Sequence, residues 1–219
     1  MANTSKTTEI IEIKPIENKT VTIRIEGDTP LIMHAWSEKA KRMMLEAQTG
    51  KSKGKKKELR NPVDDFIRSM YWLTPMPEDG TEESFETAIE NGARFGFPLT
   101  AFKQASISAA YRMGWVKNQM ELRGAFFIEG DENGLIEIHS DKPIMREDMV
   151  KIGMGTADLR YRGEFRNWYA DLTITYNASG KFSLENIINI INAGGSVCGV
   201  GEWRVEKDGQ YGRYHVAQS

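Results

Sequence analysis

The stretch TVTIRIEG, residues 20–27, alternates apolar and polar side chains along its whole length. In an extended chain Val21, Ile23 and Ile25 share one face, and the polar residues between them share the other. This alternation predicts a half-buried β-strand. It is the clearest strand pattern in the sequence.

Two helices after this strand have readable starts or ends. In NPVDDFIRSMYWL, Asn61 suits a helix N-cap and Pro62 suits the first helical position, so a helix is predicted to begin there. A short helix is predicted in EESFETAIENG, with Gly92 at its end. The segment around Pro98 is predicted to be extended and to become helical from about Thr100.

The C-terminal half alternates strands with one further helix. LRGAFFIEG (122–130) and GLIEIHS (134–140) are predicted to form a hairpin around the turn DENG. WYADLTITYN (168–177) is predicted to be a strand, and SLENIINIINAGG (183–195) a helix capped by Ser183. With no repeat of fixed period and no linker composition, this order predicts one α+β domain over residues 1–219 with an antiparallel sheet.

Composition excludes several classes of protein. The 219 residues are 40% hydrophobic and 27% charged, which is typical of a folded globular chain, and the net charge of −2 argues against coating polyanions with the whole surface. Cys198 is the only cysteine, which excludes a disulfide framework and a cysteine-rich zinc site. We find neither a signal-peptide segment nor a membrane-length apolar run, so a cytoplasmic protein with no membrane partner is expected.

Charge is unevenly distributed along the chain. Residues 78–90 carry six acids and no base, whereas 51–60 carry six bases and one acid. The basic residues lie in a predicted loop, 49–60, that either borders a nucleic-acid groove or is simply solvated. They are Lys51, Lys53, Lys55, Lys56, Lys57 and Arg60.

Basic and aromatic residues are interleaved in RYRGEFRNWY, residues 160–169. Guanidinium groups can bind phosphates and flat rings can stack on bases, so the pattern suits a single-stranded nucleic acid. The alternative is that the rings belong to the core and the arginines flank them on an exposed face. The candidate contacts here and elsewhere are Arg160, Tyr161, Arg162, Arg166, Lys103, Arg112, Arg204 and Arg213.

A glycine-rich stretch, GGSVCGVGEWRVEKDGQYGRYHV, occupies residues 194–216. Gly194 and Gly195 are interpreted as the stop of the preceding helix, and EWRVEKDGQYGRYHV as a hairpin turning through KDGQ. Gly199 and Gly201 have no evident structural task in the sequence. They are expected to bring backbone close to a nucleic-acid strand in a loop, 194–212, that also contains Gly209 and Gly212.

Residues suited to catalysis are sparse. The three histidines show no metal-binding spacing, no nucleophile elbow GxSxG occurs, and no phosphate-binding glycine motif is present, so neither a metal nor a cofactor is expected. His34 is the one candidate acid or base, because it follows the first strand. The alternative is an ordinary packed histidine.

Three segments together resemble the repeat-associated mysterious protein (RAMP) superfamily, which includes backbone subunits of CRISPR effectors. They are TPLIMHA (29–35), FPLTAFKQASISAAYR (97–112) and GVGEWRVEKDGQYGRY (199–214), and the chain also resembles phage proteins of this size. Pro98, Lys103 and Arg112 match the second motif and the four loop glycines match the third, although Gln104 stands where that family has glycine. The resemblance implies a ferredoxin-like (RRM-like) antiparallel sheet with helices on one face and insertions, and homo-oligomers assembled along single-stranded RNA or DNA.

Three functions follow from these observations. The leading one is a non-catalytic single-stranded nucleic-acid-binding protein in phage or mobile-element replication or defence. A second is an inhibitor that binds a host protein complex through the acidic segment 78–90. A third is a metal-independent endoribonuclease that uses His34.

Overall fold

The computed structural model describes residues 16–36, 44–46, 48–49, 59–152 and 155–218. The predicted basic loop therefore lies mostly outside the described residues, as do Lys51, Lys53, Lys55, Lys56 and Lys57. Within the described ranges, no helix has the length and apolar character needed to cross a bilayer.

Ten strands and five α-helices lie wholly within the described ranges, joined by one π-helical and one 3₁₀ turn. The strands are β1 (Asn18–Gly27), β2 (Leu31–Met33), β3 (Tyr71–Trp72), β4 (Phe95–Pro98), β5 (Phe126–Glu129), β6 (Leu135–Ile138), β7 (Ile144–Ile152), β8 (Thr156–Phe165), β9 (Tyr169–Asn177) and β10 (Tyr214–Val216). The helices are α1 (Pro62–Arg68), α2 (Glu82–Glu90), α3 (Leu99–Arg112), α4 (Met120–Arg123) and α5 (Leu184–Ala193). The π-helical turn is Gly194–Cys198 and the 3₁₀ turn is Val205–Lys207.

The strands form three sheets in which all strand pairs are antiparallel. The largest has the order β10-β1-β9-β5, and the two smaller ones have the orders β2-β8-β7 and β3-β4-β6. Helices α3 and α5 pack on each other, α3 contacts β5 and α5 contacts β10. The predicted α+β class with antiparallel sheets is confirmed.

The first strand behaves as its alternation predicts. Ile25 is fully buried, whereas Thr22 and Arg24 point to solvent. On the outer face, the hydroxyls of Thr20 and Thr175 are 2.9 Å apart, and those of Thr22 and Thr173 form a similar pair two residues further along β1. The strand therefore lies in the middle of the largest sheet with one face in the core.

The predicted helix starts at residues 61 and 183 are also confirmed. The Asn61 side chain accepts hydrogen bonds from the amides of Val63 and Asp64, and Ser183 accepts one from Asn186. Such caps satisfy amides that have no partner inside the helix. The predicted extended-to-helical change near Pro98 occurs between β4 and α3.

The predicted hairpin of residues 122–140 is wrong. The turn itself forms, with the Gly134 amide donating to the Asp131 carbonyl at 2.9 Å. The strands on either side then diverge, because β5 pairs with β9 and β6 pairs with β4. Each strand buries its own apolar residues in a different sheet, and a local turn pattern does not reveal which sheet a strand joins.

Helix α5 ends at Ala193 with Gly194 as its C-cap, so the predicted helix stop at Gly194 and Gly195 is confirmed. The chain continues through them as the π-helical turn and leaves it at Gly199, which has φ of 67°. A Cβ atom on Gly195 would overlap the Tyr214 carbonyl oxygen, and one on Gly194 would lie 2.9 Å from the Ser106 amide nitrogen. These glycines permit close packing against β10 and α3.

The predicted C-terminal hairpin does not form. Residues 205–207 make the 3₁₀ turn, and the Arg204–Tyr211 pairing is a single parallel bridge. Strand β10 pairs with β1. The loop that precedes β10 folds onto residues 30–32. There the amide of Gly212 donates to the Pro30 carbonyl and the amide of Glu202 donates to the Ile32 carbonyl, both at 2.9 Å.

Candidate functional site

A solvent-accessible cleft lies where three distant parts of the chain meet. One wall is His34, just after β2, and a second is formed by Phe97 of β4 with the first turns of α3. The third wall is the C-terminal loop, which reaches the cleft because its amide at residue 202 bonds to β2. The cleft has a volume of about 200 Å³, and its polar lining residues are His34, Tyr71, Gln104, Glu202, Arg204 and Glu206.

The loop glycines have structural tasks, contrary to the expectation for Gly199 and Gly201. Gly199 and Gly201 have φ of 67° and 81°, backbone angles that residues other than glycine rarely adopt. A Cβ on Gly201 would also lie 2.6 Å from the Ile32 carbonyl oxygen. At Gly209 and Gly212 a Cβ would overlap the carbonyl oxygens of Trp203 and Val200.

Several amides of this loop are already bonded within the protein. The amide of Val200 donates to Gly212 at 2.9 Å, that of Gly209 to Arg204 at 3.1 Å, and that of Tyr211 to Trp203 at 3.0 Å. These amides are not free for phosphate oxygens. The loop therefore presents mainly side chains to the cleft.

His34 is half-buried at the edge of the cleft. Burial lowers the pKa of its imidazole, and the positive charge of Arg162 lowers that pKa further. Its Nδ1 atom is buried and bonds to none of the described residues. At neutral pH His34 is accordingly a neutral imidazole.

Two carboxylates in the cleft are already held by arginines. Glu206 accepts from Arg112 and from Arg204, each at 3.2 Å, and Glu202 accepts from Arg162 at 3.1 Å. Arg204 also donates to the Gly201 carbonyl at 3.2 Å. Of the predicted contacts, Arg204 thus lines the cleft and Arg112 lies beside it, and the two arginines share the carboxylate of Glu206.

Arg162 lies inside the protein and joins the β7–β8 hairpin to the loop. It is only 5% exposed, and its guanidinium donates to Asp148 at 3.0 Å as well as to Glu202. Burial alone would disfavour the charge of Asp148, but hydrogen bonds from Arg146 and Arg162 outweigh it and hold the pKa of this carboxyl below its usual range. Arg162 is therefore part of the internal structure that positions Glu202.

The other basic residues of segment 160–166 are more accessible. Arg160 and Arg60 both bind Asp158 at 2.9 Å, and the Arg60 guanidinium lies 5.4 Å from the centre of the Tyr161 ring. Arg166 is exposed and binds Glu164 at 2.7 Å. Of the nearby rings, Phe165 and Trp168 are buried, which agrees with the alternative interpretation that these aromatics belong to the core.

The remaining predicted contacts lie outside the cleft. The Lys103 ammonium lies 4.5 Å from the centre of the Phe127 ring, and burial lowers its pKa. Its neighbours Ala101, Gln104 and Ala105 line the cleft, but Lys103 does not. Arg213 is exposed, and neither it nor Lys103 has an ion-pair partner among the described residues.

Sequence reasoning missed the acceptor groups of this site. Gln104, Glu202 and Glu206 all line the cleft, yet the sequence interpretation of these segments considered only their bases, aromatics and glycines. A signal was present, because Glu202, Arg204 and Glu206 alternate in EWRVE. Alternating opposite charges beside glycines indicate a local ion-pair network.

No protein-family model matches this sequence, and no curated protein matches it. Among solved structures, the chain is similar to the crystal structure of Cmr6 from Pyrococcus furiosus, with 10% identity and a TM-score of 0.41. The similarity covers 93% of this chain and 100% of that one.

Proposed function

We propose that this protein binds single-stranded RNA or DNA without catalysis, with copies assembling along the strand, in phage or mobile-element replication or defence. The supporting observation is the meeting of residues 34, 97–105 and 199–206 at one cleft. These residues belong to the three segments that resemble the RAMP superfamily, and they are far apart in the sequence. The proposal includes a single domain with a ferredoxin-like core, made of the four-stranded sheet with α3 and α5.

The phosphate backbone of the bound nucleic acid would lie on the protein surface beside the cleft and not inside the cleft. Arg60, Arg160 and Tyr161 form one accessible cluster, and the charge of Arg160 contributes to lowering the pKa of His34, so this cluster is close to the cleft. Exposed ion pairs contribute only about 0–1 kcal/mol, so phosphates can compete for these arginines. Arg162 is excluded from the proposed contacts because its guanidinium is enclosed.

The basic segment before Arg60 would supply most of the net positive charge. Around Arg60 and Arg160, the charges of Asp65 and Asp158 cancel the arginines. The chain reaches this cluster directly from the five lysines of residues 51–57. Lysines near a phosphate backbone release counterions, which makes binding strongly dependent on salt.

We expect replacement of these five lysines by alanine to weaken binding and to flatten its salt dependence. Each lost phosphate contact should reduce the slope of log affinity against log salt by about 0.7. Fluorescence anisotropy with a labelled single strand, measured from low to moderate salt, gives both quantities. Lys181→Ala, at an exposed position before α5, is the control and should leave the slope unchanged.

The outcome can contradict the proposal in two ways. Absence of binding at low salt would refute nucleic-acid binding itself. A five-lysine variant with an unchanged slope would place the phosphate contacts elsewhere on the protein.

A second candidate function is metal-independent endoribonuclease activity at His34. The observation that favours it is a neutral imidazole at the edge of an accessible cleft. A neutral imidazole can accept a proton from a ribose 2′-hydroxyl as a general base. This role would be independent of any bound metal ion.

If His34 is the base, His34→Ala should abolish cleavage of structured RNA in the presence of a metal chelator. Because the pKa of His34 is lowered, the base should remain competent through neutral pH and lose activity only as acid protonates it. Gel analysis of RNA fragments across a pH series tests both points. His215→Ala is the matched control, since His215 lies on β10 beside Asp28; equal cleavage by wild type and His34→Ala would remove this role.

A further inference from the structure

The cleft has the size for one flat ring system. Its volume of about 200 Å³ is below the range of roughly 300–1,000 Å³ that is typical of pockets for drug-sized ligands. Tyr71, Phe97 and the imidazole of His34 supply planar groups at its walls. A small planar ligand group is therefore accommodated better than an extended chain.

The charges of the cleft disfavour a phosphate. Glu202 and Glu206 both line it, and the arginines closest to them are already bonded to these same carboxylates. His34 is neutral at neutral pH because burial and Arg162 lower its pKa. Arg112 and Arg204 share the carboxylate of Glu206, and Arg162 is divided between Glu202 and Asp148. Because each of these arginines is already engaged by a carboxylate, an uncharged group is favoured.

The polar atoms specify the hydrogen-bonding character of that group. Carboxylate oxygens only accept hydrogen bonds, and the Oε1 atom of Glu202 is not used by its partner Arg162, which binds Oε2. Gln104, which also lines the cleft, can both donate and accept. The complementary ligand is planar and uncharged, and carries at least one N–H donor directed at an acidic side chain.

We infer that the cleft binds a single unstacked nucleobase with an exocyclic amino group, and that Glu202 accepts a hydrogen bond from that group. The inference rests on the proposed nucleic-acid binding and makes it selective at one position. Adenine, cytosine and guanine have such an amino group, whereas uracil presents a carbonyl oxygen where cytosine has its amino group. That oxygen would face the Glu202 carboxylate, acceptor against acceptor.

The test compares oligocytidine with oligouridine of equal length. The two bases differ at position 4, where cytosine has the amino group and uracil a carbonyl oxygen, and at N3, which is an acceptor in cytosine and an N–H donor in uracil. By fluorescence anisotropy at constant salt, oligocytidine should bind about fivefold or more tightly, the size expected of one good base-edge contact. Glu202→Gln should bring the ratio of affinities close to one, since its amide can donate to the uracil oxygen. Glu132→Gln, on the exposed 131–134 turn, should leave the ratio at the wild-type value.

The results distinguish failure of the base site from failure of the proposed nucleic-acid binding. If both oligonucleotides bind wild type equally, the base site is refuted while nucleic-acid binding stands. If neither binds at low salt, the proposed function fails and the base site with it. Because Glu202→Gln also changes the partner of buried Arg162, Gln104→Ala provides a second cleft variant; a preference that survives both substitutions in folded protein would overturn the inference.

Discussion

Valine in place of Gly212 is expected to prevent stable folding. Gly212 has φ of 64°, which costs a residue with a side chain roughly 1–2 kcal/mol. Its Cβ would also overlap the Val200 carbonyl oxygen, a backbone atom that cannot move without breaking the loop. Together these effects should exceed about 4 kcal/mol, a large part of the roughly 5–15 kcal/mol that stabilises a typical domain.

Thermal unfolding by circular dichroism, with the yield of soluble protein, measures this loss. Gly92→Val is the matched control, because Gly92 has φ of 79° but a Cβ added there would meet no atom within 4 Å. It should lose only the conformational cost, with a fall in Tm of about 2–4 °C per kcal/mol. Equal Tm values for the two variants would show that the overlap at Gly212 is relieved by movement of the loop.

The same geometry decides how loop variants can be interpreted. A Gly201→Val substitution is attractive from the sequence as a test of nucleic-acid contact. Gly201 has a positive φ, and its Cβ would lie 2.6 Å from the Ile32 carbonyl oxygen, so valine there is expected to damage the fold as well. Side-chain substitutions at Glu202 and Gln104 therefore test the cleft more cleanly.

Elements with complete local signals were predictable from the sequence. The alternation of β1 and the caps at Asn61 and Ser183 depend on residues within one or two turns of each other. The partners of the strands were not predictable in the same way. Strands β5 and β6 look like a hairpin locally, yet each joins a different sheet through a strand that is distant along the chain, β9 for the first and β4 for the second.

The candidate site was predictable in outline only. The segments around residues 34, 98–105 and 199–206 were singled out from the sequence, and they line one cleft. The sequence alone does not show which arginines are accessible. Arg162 and Arg166 belong to the same motif, but Arg162 is enclosed by Asp148 and Glu202, acids contributed by other segments, whereas Arg166 is exposed.

Arg162→Ala is expected to destabilise the protein strongly. The substitution would leave the buried carboxylate of Asp148 with Arg146 and the Trp203 side chain as partners, and would free Glu202 from the hairpin. Removing one member of a buried ion pair typically costs about 3–5 kcal/mol. Arg166→Ala should cost less, because Arg166 is itself exposed and its buried partner Glu164 keeps Arg146.

Urea unfolding at two pH values distinguishes loss of the ion pair from loss of packing. The pKa of Asp148 is lowered in the folded protein, so its contribution to stability is present above the unfolded pKa and disappears as pH falls through the folded pKa. The destabilisation by Arg162→Ala should therefore be large at neutral pH and smaller in acid, where a protonated Asp148 no longer needs a cation. A destabilisation of the same size at both pH values would mean that Arg162 acts through the packing of its side chain, and the ion pairs would not be what joins the hairpin to the loop.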